Sequence, residues 1–165
     1  MQYKSGLRFL IITLLSSTAF FATPEGLSMA QTMAKKLTPF TSDGCSLFPD
    51  GTTDAPSLWV HCCIQHDLAY WAGGTRAKKR QADHALAQCV KQTGQSHISQ
   101  LMHSGVAFGG SAYYPTFYRW GYGWPYLRGY KALTPTEKAA VIEQLHTTQR
   151  YINDYLRVLT ATSTP

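Results

Sequence analysis

Apolar residues run through Leu58 to Ala72 with no Gly or Pro among them, and Gly73-Gly74 closes the run, which predicts a helix. Arg76 to Gln92 is again free of Gly and Pro. Its Ala77, Ala82, Ala85, Leu86, Ala87 and Val90 favour a second helix, stopped at Gly94. A short third helix fits Ser96 to about His103, with Ile98, Leu101 and Met102 on its apolar side. Gly105 to Tyr130 reads as loop, punctuated by Gly109-Gly110, Pro115, Gly121, Gly123, Pro125 and Gly129. The last helix has a clear start in Thr134-Pro135-Thr136-Glu137, a capping box with Pro at the first helical position. Val141, Leu145, Thr148, Ile152, Tyr155 and Leu159 then follow at spacings of three and four, a stripe that needs a core. No useful alternating pattern predicts a strand, so the expected class is all-α. Residues 31 to 58, rich in Pro, Asp and Gly, are expected to be irregular.

The N-terminus has a different pattern. Lys4 and Arg8 precede an apolar stretch from Phe9 to Ala22, shorter than the ~20 residues of a spanning helix. Thr23-Pro24-Glu25-Gly26 breaks it, and Ser28-Met29-Ala30 offers small residues at the last and third-last positions of a cleavage site. Residues 1–30 are therefore expected to be a signal peptide, leaving one domain from Gln31 to Pro165 that is secreted to an extracellular or periplasmic space. The 165 residues suffice for one domain, and 44% hydrophobic with 15% charged residues excludes a disordered tail.

Export changes what the four cysteines mean. In an oxidising compartment Cys45, Cys62, Cys63 and Cys89 should pair. A zinc site using the nearby His61 and His66 competes with that reading. Adjacent cysteines are poor joint ligands, however, and no C-x-x-C spacing occurs. Two helices joined by Gly73-Gly74 should run antiparallel, so positions equidistant from the turn lie side by side. By that rule Cys62 can face Cys89 and either His66 or Asp67 can face Asp83, provided Asp83 and Cys89, about 120° apart on the helix, lie at the edges of a broad contact; four cysteines also allow other pairings. Cys62, His66 and Tyr70 share one face at i, i+4 and i+8. Cys63 points about 100° away, free to reach back to Cys45.

A histidine against a carboxylate is a general base whose tautomer the carboxylate fixes. Here Asp83 would orient His66, and water is the expected attacker because all four thiols are paired. Asp67 stands next to His66, beside a turn-rich loop. A carboxylate with turn carbonyls suits calcium, which can polarise a carbonyl substrate. A satisfied buried His–Asp pair without function is the competing reading.

Cys62-Cys63-Ile64-Gln65-His66-Asp67 matches the C-C-x-x-H-D core of the secreted phospholipase A2 superfamily. Asp83 stands six before Cys89, and Asp43-Gly44-Cys45-Ser46 is similar to the calcium loop. The chain thus resembles that family over Thr41 to Val90, and its compact bacterial and fungal branch in having few bridges. The resemblance implies a disulfide-linked antiparallel two-helix hairpin with a calcium loop, and a C-terminal helix packed on it. It implies calcium-dependent hydrolysis of the sn-2 ester of glycerophospholipids at a membrane or micelle surface. His66 would be the base, Asp83 its orienter and Tyr70 the support of the pair. Asp67 would bind Ca2+ with the carbonyls of Gly44 and Ser46, and the Ser46 N–H would donate to the oxyanion. The family loop is glycine-rich, whereas here Asp43 replaces a cysteine and Ser46 a glycine. The third carbonyl ligand stays open, Phe48 being one candidate. The alternatives are a catalytically silent lipid-binding or toxin-like module on the same scaffold, and an acyltransferase or other esterase using the same base.

Two further clusters bear on partners. Tyr113 to Tyr130 holds nine aromatics in 18 residues together with Arg119 and Arg128. Trp120, Trp124 and Arg119 suit a lipid–water interface, against the reading that they pack the loop onto the helices. Arg76, Lys78, Lys79 and Arg80 could meet anionic phosphate, or form a solvated helix face. Export argues against nucleic acid, and no protein partner is indicated. His61, His84, His97, His103 and His146 are read as surface or packing residues.

Overall fold

The computed structural model describes residues 36–161; the expected signal peptide, residues 1–30, lies outside them. Among the described residues there are four helices and no strand: α1 (Val60–Ala72), α2 (Arg76–Gln92), α3 (Ser96–Gly109) and α4 (Pro135–Ala161). The class is all-α, as the pattern predicts. Residues 36–59 are turns and bends that lead into α1.

α1 and α2 meet at residues equidistant from the Gly73-Gly74 turn. Cys62 is bonded to Cys89, and His66 touches Asp83. The second bridge, Cys45–Cys63, pulls the preceding loop onto the other side of α1. Trp59, Cys62, Cys63, Leu86, Val90 and Met102 form the core between that loop, α1, α2 and α3. Burying side chains such as Leu86 and Val90 stabilises by about 1.5–3 kcal/mol each.

α3 is longer than the sequence suggests, running through Gly105 to Gly109. Two helical glycines cost about 1 kcal/mol each relative to alanine. Tertiary bonds outweigh that cost: Ser99 Oγ donates to Ala87 O at 2.6 Å, and the Val106 carbonyl accepts from the Lys79 ammonium at 2.9 Å. Met102 packs into the core, with Ile98 and Val106 against it.

The aromatic segment is a cap for α1. A helix end leaves its last carbonyls without intrahelical donors. Here the Gly121 N–H donates to Tyr70 O at 2.6 Å, Gly123 N–H to Trp71 O at 3.2 Å, and the Trp124 indole to Ala72 O at 2.8 Å. The Trp120 indole donates to Gly74 O at 2.9 Å within the turn itself. Gly73 and Gly121, both at positive φ, press together so closely that a side chain on Gly73 would strike the Gly121 backbone. The interfacial role expected of Trp120, Trp124 and Arg119 therefore does not hold. All three are buried, and Arg119 Nη2 donates to Trp124 O at 2.6 Å.

α4 begins at the expected capping box. Glu137 N–H donates to Thr134 Oγ1 at 3.2 Å, and Thr134 N–H to the Glu137 carboxylate at 2.8 Å. Ala140 and Val141 bury against Leu37, Trp71 and Trp124, with Leu145 packed on the same cluster. The later stripe residues Ile152, Tyr155 and Leu159 lie outside the described side chains.

Candidate functional site

The two central helices supply the site because i, i+4 spacing stacks their side chains on one face. On α1, His66 and Tyr70 are both buried, their rings 4.1 Å apart between centroids. On α2, Lys79 and Asp83 are both buried. Asp83 collects the donors. Oδ1 lies 3.3 Å from His66 Nε2 and accepts from the Tyr70 hydroxyl at 2.7 Å. Oδ2 accepts from the Lys79 ammonium at 2.8 Å. Burial pushes the Asp83 carboxyl up, but the hydrogen bonds from His66, Lys79 and Tyr70 outweigh it and hold the group below its ordinary value. An ionised Asp83 only accepts, so the facing nitrogen, Nε2, carries the proton and Nδ1 is the ring's basic atom. Burial and the Asp83 charge keep the Tyr70 phenol protonated.

His66, Asp83 and Tyr70, singled out in the sequence, are thus in contact. Lys79 is not the solvated or phosphate-facing residue expected of its cluster, since it is 4% exposed while Arg76, Lys78 and Arg80 are exposed. The available signal was its i, i+4 spacing to Asp83 within a helix. Gly110, which the sequence marks only as loop punctuation, belongs to the site as well. It lies so close to the Tyr70 phenol that any side chain there would overlap it.

On the loop side, Asp67 is half-buried and accepts from the Ser42 hydroxyl at 2.6 Å. Burial raises its carboxyl to about 6 against the lowering effect of Ser42 and His66, with Asp43 adding to the rise. Gly44 and Ser46 line one cavity of about 340 Å³ together with His66, Asp67, Tyr70 and Phe48. Its other walls are largely apolar: Leu47, Leu86, Leu101, Met102 and Val106. A smaller cavity of about 80 Å³ joins Asp67 to Asp43, Ser46 and Tyr122. The Asp43 carboxylate accepts from the Ser46 hydroxyl at 2.7 Å.

The loop is folded around Asp50, which the sequence marks only as a turn former. Its Oδ1 accepts from Cys45 N–H at 2.8 Å, and its carboxylate fills the space beside Gly44, whose φ is +80°. The Asp50 carbonyl accepts from Trp59 N–H at 3.0 Å at the start of α1.

His61 Nε2 lies 3.4 Å and 3.5 Å from the two sulfurs of the Cys62–Cys89 bridge. Both sulfurs are engaged in the disulfide, so this cluster is not a thiolate metal site. No protein-family model, curated protein or solved structure matches the chain.

Proposed function

We propose that the chain is a secreted, calcium-dependent phospholipase A2 acting on the sn-2 ester of glycerophospholipids at a membrane or micelle surface. The observation that carries this reading is His66, held 3.3 Å from an ionised Asp83 while lining a mainly apolar cavity of about 340 Å³. Nδ1 of His66 takes a proton from water as the water oxygen attacks the ester carbonyl. The imidazolium returns that proton to the departing glycerol oxygen, leaving a fatty acid and a lysophospholipid. Asp83 stays ionised throughout; it orients the ring and offsets its transient charge. The apolar walls suit an acyl chain. Leu47 at 84% and Leu101 at 59% exposure line the same cavity and give its rim an apolar edge for a lipid surface.

Asp67 would hold calcium with the carbonyls of Gly44 and Ser46. Carboxylate and carbonyl oxygens suit a hard cation, so the donor chemistry fits the group. When bound, calcium supplies positive charge against the developing oxyanion. The Ser46 N–H is the second donor to that oxyanion. Two disulfides support export.

The Asp50-centred loop favours a second reading, a lipid-binding module without catalysis, because its carboxylate occupies the space against Gly44. One experiment separates the two: fatty-acid release from phosphatidylcholine vesicles with calcium or with EDTA. Release that needs calcium and disappears in His66→Gln supports the enzyme. Vesicle binding with no release in either condition supports the module.

A further inference from the structure

We infer that Lys79 is a positioning residue of the His66 site: its buried ammonium pins one oxygen of Asp83, so that the other stays on the imidazole. Lys79 stands one helical turn before Asp83 on α2. Its Nζ donates to Asp83 Oδ2 at 2.8 Å and to Val106 O at 2.9 Å, and lies 5.4 Å from the centre of the Tyr70 ring. The ammonium is therefore fixed from three helices: by Asp83 on its own helix, by Val106 on α3 and by Tyr70 on α1.

The division of the carboxylate is the point. His66 and Tyr70 both use Oδ1; among the described residues only Lys79 uses Oδ2. A carboxylate held at one oxygen can swing about its Cβ–Cγ bond, because that torsion is broad. Held at both, it cannot. The imidazole then has one fixed acceptor for Nε2–H, and Nδ1 stays proton-free. Stability alone does not account for the pair: a buried ion pair is often no more stabilising than two apolar side chains of the same volume. The pair instead supplies orientation, tying the carboxylate to α3, whose Val106 lines the cavity.

The kinetic part of this inference rests on the proposed hydrolysis; the spectroscopic part does not. The test is Lys79→Met in the full chain, with the tautomer of the His66 ring read by 15N NMR. The unmodified chain should show a single tautomer, protonated at Nε2. Lys79→Met should show a tautomer mixture, with kcat on phosphatidylcholine vesicles lowered by about 10- to 100-fold and KM changed by less than about twofold, the scale of partners that orient another group. An unchanged tautomer and unchanged kcat would overturn the inference. A tautomer change in a chain that hydrolyses nothing leaves the inference standing and defeats the phospholipase reading. If Lys79→Met does not fold, Asp83→Asn is compared with Asp83→Asn/Lys79→Met, which buries neither charge. Equal ring spectra and equal kcat in the two show that Lys79 acts through Asp83. A further loss in the double variant overturns the inference.

Discussion

His66 has a carboxylate on either side, and the two differ in nearly every physical respect. On the helix side, Asp83 is buried with a phenol, an ammonium and an imidazole donating to it, and its carboxyl is held below the ordinary range. On the loop side, Asp67 is half-buried with one hydroxyl donor among the described residues, and burial raises its carboxyl to about 6. The helix side is electrostatically complete: its negative charge is matched by protein donors. The loop side carries a negative charge that its neighbours offset only in part, the arrangement that favours a cation from outside. On the proposed reading, one carboxylate holds a ring still and the other receives a ligand.

Activity is where both sides should matter most. His66→Gln is expected to lower fatty-acid release by about 10²–10⁴-fold while leaving circular dichroism and both disulfides unchanged. Asp67→Asn should abolish the response of release to calcium. A His66→Gln variant as active as the parent would remove the base from the scheme.

Stability should split the two carboxylates in sign. Asp83→Asn leaves the Lys79 ammonium buried without its partner, and should cost about 3–5 kcal/mol in urea unfolding. Asp67→Asn removes a charge that folding disfavours, so the calcium-free chain should be as stable as the parent or more so. Equal destabilisation by both would erase the distinction. Breaking the loop bridge with Cys45→Ser/Cys63→Ser should cost about 3 kcal/mol on the loop-entropy estimate and weaken calcium binding, since that bridge ties the loop beside Asp67. Calcium affinity unaffected by its loss would separate the loop from the metal.

Much of the helix side is legible in the amino-acid sequence, because it depends on periodicity. The i, i+4, i+8 spacing of Cys62, His66 and Tyr70, and the Gly73-Gly74 turn, bring His66 to Asp83 and Cys62 to Cys89. Lys79 escapes the same reading because a lysine among Arg76, Lys78 and Arg80 looks solvated. Its second acceptor, the Val106 carbonyl on the third helix, is not announced by that run of charges. That helix is itself read too short, since Gly105 and Gly109 are poor helix formers held by tertiary bonds. The aromatics mislead in the opposite direction. Trp120 and Trp124 have the composition of a lipid interface, yet their indoles cap a turn and a helix end, a role that depends on unpaired carbonyls far away in the chain. The loop side is less legible still, because Asp50 acts through a hydrogen bond that no periodic spacing announces.

Smaller effects should sharpen the contrast. Gly110→Ala would push against the Tyr70 phenol on the helix side, costing about 1–3 kcal/mol and lowering kcat without changing calcium affinity. Equilibrium unfolding against pH should show the smallest effect. The folded Asp83 carboxyl lies below its unfolded value, so its contribution is fully present above the ordinary carboxylate range. It is lost as pH falls through the folded value. Asp83→Asn should lack that acid-side loss, and a variant that retains it would assign the loss to another group.

The most direct measurement is sn-2 fatty-acid release from phosphatidylcholine vesicles by the purified chain and by Asp67→Asn, each titrated with calcium in a calcium-binding assay run in parallel. Release by the parent that rises with calcium occupancy, with neither binding nor release in Asp67→Asn, is the expected result. Calcium-independent release, or calcium binding by the parent with no ester cleaved, would contradict it.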